Sequence, residues 1–220
     1  MIAHMIAAAR KALKISAVAA ALAAGVGGLA WAQSARPHRF ELSVFATPGS
    51  PSLFVRTADD ERILIDGGAN AEIVRRPTAI LPFYSRRIDL VVSTGDDPKR
   101  AVGLIEVARR YSVARTVSVA TSSSIYEGDG ASLRMLDAAK GIALLTVGAE
   151  RLLILPFNPA NASKRMLAEA RPTAVIYSAA KEAKPASLAG VMLDRRFNIR
   201  DTGAVRASVS DGRLSIEAVE

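Results

Sequence analysis

Apolar and polar positions alternate in short runs once the chain passes residue 39. Phe40–Phe45 alternates, Leu53–Thr57 follows the turn Thr47-Pro48-Gly49-Ser50-Pro51, and Arg62–Asp66 follows the acidic turn Asp59-Asp60. Three short strands with tight turns predict an antiparallel start. Asp66-Gly67-Gly68 ends the third strand and opens a loop. Ile80–Phe83 is a short apolar stretch with prolines at 77 and 82, and Ile88–Val92 reads as a buried strand.

The period then changes. Pro98 stands where a first helical turn tolerates it, and Val102, Ile105, Val107 and Ala108 give an apolar helical face through Tyr111. Thr116–Ala120 predicts a strand, and Thr121–Gly130, rich in Ser and Gly, predicts a mobile loop. Ile142–Val147 and Arg151–Leu155, joined at Gly148, predict a hairpin. A helix over Ser163–Ala170 with Ser163 as N-cap, a strand over Thr173–Ser178 and a helix over Pro185–Leu193 come next. The chain closes with Val205–Val209, the turn Asp211-Gly212, and Leu214–Val219. Strands, then strand–helix alternation, then strands imply one α/β domain over residues 40–220, an α+β sandwich of sheets covered by helices.

The first 32 residues have a different character. Arg10, Lys11 and Lys14 precede an uncharged stretch from Ile15 to Ala32, 18 residues of which 11 are Ala or Gly. Basic residues before an apolar run hold the N-terminus in the cytoplasm, so the chain beyond Ala32 is expected outside it. Two readings of residues 1–32 stand side by side. Ala30-Trp31-Ala32 before Gln33 is a small-x-small cleavage site for a signal peptide. The run also approaches the ~17–25 residues with which a helix spans a bilayer, which would make it an uncleaved membrane anchor. In either case the domain is exported, facing outward from the cell membrane or released into the periplasm or medium. Residues 33–39, with Pro37, read as a polar linker.

Composition narrows the chemistry. The 220 residues include no cysteine, which excludes disulfides, thiolate metal sites and cysteine nucleophiles. The two histidines are His4 and His38, so everything from Arg39 onward lacks imidazole, the usual general base and the commonest metal ligand. Setting aside Arg10, Lys11 and Lys14 leaves 26 basic residues against 21 acidic ones, a net charge of about +5. The basic residues come in scattered pairs (Arg75-Arg76, Arg86-Arg87, Arg109-Arg110, Arg195-Arg196) and not in a nucleic-acid-binding block. Tyr84, Tyr111, Tyr126 and Phe157 are dispersed and read as core, not as a base-stacking platform.

The run Phe40–Phe45, turn, Leu53–Thr57, turn, Ile63-Leu64-Ile65-Asp66-Gly67-Gly68 resembles the opening of the metallo-β-lactamase fold, in particular the C-terminal domain of the ComEC family of DNA-uptake proteins. Ile88-Asp89-Leu90-Val91-Val92-Ser93 is similar to that family's next strand, and Gly103-Leu104 to the end of its metal-binding loop. Pro172–Ser178, Thr202-Gly203-Ala204-Val205 and Asp211-Gly212 resemble its closing elements. The resemblance covers residues 40–219 and implies metallo-β-lactamase-like sheets flanked by helices, carried outside the cell membrane.

It also implies a histidine- and aspartate-rich metal loop, from which this chain departs. The loop reads Thr94-Gly95-Asp96-Asp97-Pro98-Lys99-Arg100. Thr94 stands in place of the first histidine, and Pro98 with Lys99 or Arg100 in place of the last Asp-His pair. Only Asp96 matches a family ligand, with Asp97 beside it through a one-residue insertion. The later ligands, expected near Pro156-Phe157 and Asn158–Arg165, have no counterpart. The pattern argues against a di-zinc centre, and neither a catalytic residue nor a metal or other cofactor is assigned. Asp66, Gly67, Gly68, Asp96 and Asp97 remain the ligand-binding candidates at family-equivalent positions. In the plainer reading Asp96 and Asp97 cap the helix near Pro98, and Asp66 holds its turn through backbone hydrogen bonds. The alternative is an oxygen-ligated Mg²⁺ or Mn²⁺ on Asp66, Asp96 and Asp97, serving a phosphodiesterase or nuclease.

Ser178-Ala179-Ala180-Lys181 spells S-x-x-K but ends a strand without the motifs that accompany it in penicillin-binding proteins. Ser122-Ser123-Ser124 has no histidine partner in the domain. The sequence therefore reads as an exported or membrane-tethered, metal-free module. Its expected partners are the membrane, through residues 15–32 if uncleaved, an envelope protein, and single-stranded DNA. Cleavage after Ala32 removes Trp31, the only tryptophan. Protein recovered from cells then shows tyrosine emission alone, whereas indole emission would contradict the signal-peptide reading.

Overall fold

The structure is a computed structural model and describes residues 39–76, 86–95, 97–119, 122–128, 130–180, 188 and 190–219. In chain order the elements are β1 (Glu41–Phe45), β2 (Ser52–Arg56), β3 (Arg62–Ile65), β4 (Arg87–Thr94), helix α1 (Pro98–Arg110), β5 (Ser112–Val119), β6 (Ser123–Gly128) and β7 (Ala131–Asp137). Then come β8 (Ile142–Val147), β9 (Glu150–Leu155), α2 (Lys164–Ala170), β10 (Ala174–Tyr177), β11 (Arg196–Asn198), α3 (Ile199–Thr202), β12 (Ala204–Ser210) and β13 (Arg213–Val219). They form a seven-stranded sheet ordered β13-β12-β1-β2-β3-β4-β5 and a six-stranded sheet ordered β11-β10-β9-β8-β7-β6.

Period-two alternation explains why the sheets stack. Leu42, Val44, Val55, Ile63, Ile65 and Val92 meet Leu133, Leu145, Leu152, Ile154 and Ile176 in a core between the sheets. The alternate residues point outward and are covered in turn. Phe54, Leu64 and Val91 pack with Ile73, Val107 of α1 and Tyr111. Leu153, Leu155 and Val175 pack with Met166, Leu167 and Ala170 of α2. This is the predicted sandwich of sheets with helices outside.

β1, β2 and β3 are antiparallel, whereas β3, β4 and β5 are parallel. The registers Glu41↔Arg56, Arg56↔Arg62 and Arg87↔Ser112 place the starts of β1, β3, β4 and β5 at one end of the sheet. Asp66, Thr94 and the start of α1 lie at the other. Two glycines fix how α1 sits there. The Gly103 N–H donates to the Gly68 carbonyl at 3.0 Å and the Gly67 N–H to the Arg100 carbonyl at 2.7 Å. A Cβ on Gly103 would stand 1.9 Å from the Gly67 oxygen, and one on Gly67 would stand 2.4 Å from the Leu104 nitrogen. The loop after β3 and the helix thus touch backbone to backbone.

The expected mobile loop over Thr121–Gly130 is corrected by the structure. Ser123–Gly128 is strand β6, paired antiparallel with β7, an element that apolar alternation did not reveal. Polar Ser residues serve here because β6 is a sheet edge. Its one large aromatic, Tyr126, stacks on Phe40 with ring centroids 5.2 Å apart. β5 begins at Ser112, before the expected Thr116, because β4 offers it a parallel ladder from Arg87. Ser163 occupies the N-cap of α2, but its side chain makes no capping hydrogen bond. Residues 1–38, Ile80–Phe83, Tyr84, Asp96, Lys181 and residues 185–187 and 189 of the helix expected over Pro185–Leu193 lie outside the described residues. The described remainder corrects that helix: Gly190 turns at φ +98° and Leu193 opens a short 3-10 turn, Leu193–Arg195.

Gly103→Ala is expected to cost about 3 kcal/mol, because the added methyl meets backbone on a packed helix and neither side can yield. Urea unfolding checks this, and an unchanged midpoint would contradict the close crossing.

Candidate functional site

Adjacent parallel strands in an α/β sheet leave a crevice at their carboxyl ends, and the candidate residues gather at the ends of β3 and β4. Asp66 follows β3 directly. Its N–H extends the ladder to the Val92 carbonyl at 2.9 Å, and its φ of +56° turns the chain sharply toward Gly67. Aspartate tolerates this left-handed conformation better than most residues. Its side chain is 2% exposed. The Thr94 backbone N–H donates to Oδ1 at 2.8 Å and the Thr94 hydroxyl donates to Oδ2, so each carboxylate oxygen accepts a bond from the last residue of β4.

Thr94 is fully buried and bonded in turn to Arg100, in the first turn of α1. The Arg100 Nη1 lies 3.3 Å from Thr94 Oγ1 and 3.1 Å from the Thr94 carbonyl oxygen. It also donates to the Ala138 carbonyl at 2.9 Å, in the turn between β7 and β8 of the other sheet. That turn passes close by means of Gly141, at φ +69°, where a Cβ would be 3.6 Å from the guanidinium carbon. One cation therefore ties the carboxyl ends of both sheets together.

Burial pushes the Asp66 pKa up to about 6, against the opposing hydrogen bonds from Thr94 and the charge of Arg100, with the charge of Asp97 adding to the rise. The native state therefore holds this proton over a range where the unfolded carboxyl, near 3.8, has lost it.

The structure brings Asp66, Gly67 and Gly68 to one turn, with Asp97 near enough to act on Asp66 through its charge. Asp97 is exposed at the start of α1, and its backbone carbonyl accepts the Arg100 N–H at 2.9 Å. The expectation that Asp66 holds its own turn is corrected: its carboxylate reaches Thr94, 28 residues away in sequence. Gly68, at φ +72°, packs against Thr47, and the next residue, Ala69, donates to the Pro48 carbonyl at 2.7 Å. The sequence marks Thr94 and Arg100 only as departures from a ligand pattern. Their bonding to Asp66 and Ala138 has no sequence signal beyond that position, because it depends on how the two sheets meet. Among the described residues no group of three acidic or imidazole side chains lies within metal-binding range of one another. The Ser178 hydroxyl accepts from Arg200 Nε at 3.2 Å.

No protein-family model matches the chain, and no curated protein matches it in sequence. Among solved structures it is similar to Zn²⁺-bound PqqB from Methylobacterium extorquens, at 16% identity and a TM-score of 0.40, over 68% of this chain and 61% of PqqB. The subclass B3 metallo-β-lactamase MEM-A1, isolated from a soil metagenome library, matches at 13% identity and a TM-score of 0.43, over 64% of this chain and 77% of that enzyme. A diphosphatase of the PhnP family matches at 12% identity and a TM-score of 0.46, over 82% of this chain and 98% of its own. The likenesses are distant, and the chain spans only about three-fifths of PqqB. The strand order and layering rest on this chain's own hydrogen-bond ladders.

Stability is expected to fall as pH rises from about 4 to about 6, as the buried carboxyl ionises, and then to level off, by up to about 3 kcal/mol for the two-unit difference. Asp66→Asn keeps the acceptor for the Thr94 N–H and removes this slope. Urea midpoints measured across that range check it. A wild-type slope of the opposite sign would mean that the Thr94 and Arg100 contacts outweigh burial.

Proposed function

We propose that the protein is an exported, non-hydrolytic relative of metallo-β-lactamase-like domains, a binding or scaffolding module at the cell envelope. The observation that carries this reading is the Arg100 guanidinium bonded across the carboxyl ends of β4 and the β7–β8 turn. A fixed cation there repels a divalent ion, and it supports the sheets where a metallohydrolase needs an open, anionic cleft. The buried Asp66 fits the same reading, since both of its oxygens already accept bonds from Thr94. Lack of imidazole from Arg39 onward removes the usual proton carrier as well.

The resemblance to the ComEC domain adds a more specific role, accessory to DNA uptake at the cell surface. A salt-sensitive affinity of the full chain for single-stranded DNA tests that role. Its absence would point to an envelope protein as the partner.

The enzyme alternative, a Mg²⁺- or Mn²⁺-dependent phosphodiesterase or nuclease using Asp66, Asp96 and Asp97, makes the opposite prediction. Elemental analysis of the full chain after equilibration with Mg²⁺, Mn²⁺ and Zn²⁺ is expected to find no stoichiometric metal in the folded protein. Stoichiometric metal, with a nuclease activity lost in Asp96→Ala, would overturn the scaffold reading.

A further inference from the structure

At the end of the seven-stranded sheet opposite Asp66, the fold gathers basic pairs that are dispersed in sequence. The Ser112 N–H donates to the Arg86 carbonyl at 2.8 Å, which sets Arg86 and Arg87 beside Arg109 and Arg110 at the end of α1. The Tyr111 hydroxyl donates to the Val74 carbonyl at 3.2 Å, and Arg75 and Arg110 line one open cleft of about 810 Å³ together with Glu72 and Glu106. Burial raises the Tyr111 pKa while the charges of Arg86 and Arg110 both pull against it, as expected where two guanidinium groups converge on one phenol. Arg87 pairs with Asp89 and Arg109 with Glu106, each at 2.7 Å. Arg86 and Arg110 have no acidic partner in ion-pair range among the described residues. Arg87 and Arg115 line a separate cleft with the acidic residues Asp59, Asp60, Glu61 and Asp89, so Arg86, Arg109 and Arg110 are left to the corner.

The adjoining face of α1 is apolar and uncovered by described residues. Ile105 is 57% and Val102 39% exposed, and Arg109 follows on the same side of the helix. Exposed aliphatic side chains on an arginine-rich helix end match a headgroup interface, where apolar groups sink into the acyl boundary and guanidinium groups fork onto phosphates. Nucleic acid fits less well, since unpaired bases need aromatic platforms and, among the described residues, the tyrosine at this corner, Tyr111, is 6% exposed.

We propose that this corner, formed by Ile105, Arg86, Arg109 and Arg110, docks on anionic phospholipid headgroups.

The absence of cysteine makes the test direct. Full-chain Ile105→Cys, labelled with an environment-sensitive fluorophore, is added to vesicles of phosphatidylcholine alone or with phosphatidylglycerol. Emission is expected to shift to the blue only where phosphatidylglycerol is present. Adding Arg86→Ser and Arg110→Ser should lower the docked-to-undocked ratio roughly 30-fold, about 5-fold per arginine. Both arginines are exposed, so an unchanged circular dichroism spectrum is expected to accompany the loss. A label at Lys140→Cys, at the other end of the fold, should not respond. The proposal is overturned if position 105 shows no dependence on phosphatidylglycerol, or if position 140 responds equally. It is also overturned by a shift that follows protein concentration without lipid, which would make a second copy the occupant, or by one that single-stranded DNA alone produces.

Discussion

A carboxylate sealed between two parallel strands organises this fold. Asp66 closes β3, Thr94 closes β4, and the two are joined by a backbone and a side-chain hydrogen bond inside the protein. A buried carboxylate is tolerated only when its oxygens are occupied, so the strand ends must stay in register for the site to exist. The left-handed turn at Asp66 then delivers Gly67 to the one place where α1 can lie against the loop, backbone on backbone with Gly103. Helix placement, loop path and strand pairing are one constraint seen from three sides.

Arg100 extends that constraint to the second sheet. Because α1 is held by the glycine contact, its first turn presents the guanidinium to Thr94 and, across the sandwich, to the Ala138 carbonyl. Charge-assisted bonds of this kind are stronger than neutral ones, and their use here is architectural. The carboxyl ends of β4 and of the strand before the β7–β8 turn are tied together by a permanent cation. At the opposite end, arginines and exposed aliphatic residues face outward. The two ends of the sheet thus differ in kind: a buried, hydrogen-bonded clamp at one and an exposed basic and aliphatic surface at the other.

Much of the architecture was legible in the sequence where burial imposes a period, although the interior strand β7, whose Ala131, Leu133 and Met135 alternate inward, went unread. The alternation in Phe40–Phe45 and Arg62–Asp66, the helix from Pro98 and the hairpin at Gly148 all coincide with elements of the structure. Edge strands were not legible, because β6 and most of β5 expose side chains whose polarity resembles that of a loop. The same limit governs the site. Asp66-Gly67-Gly68 stood out as a strand-ending turn, and Thr94 and Arg100 stood out as misfits in a metal loop. That the misfits bond to one another, and through Ala138 to the second sheet, is a property of tertiary placement that no local pattern carries. The approach of Arg86 to Arg109 and Arg110 was hidden in the same way.

The account rests on Thr94 and Arg100 acting as one unit above Asp66, and a double-mutant cycle measures this most directly. Unfolding free energies of the wild type, Thr94→Val, Arg100→Met and the double variant are predicted to show a coupling of about 1–2 kcal/mol, the second substitution costing much less once the first is made. Strictly additive losses, or an Arg100→Met protein as stable as the wild type, would contradict the clamp and reopen the carboxyl end of the sheet as a working site.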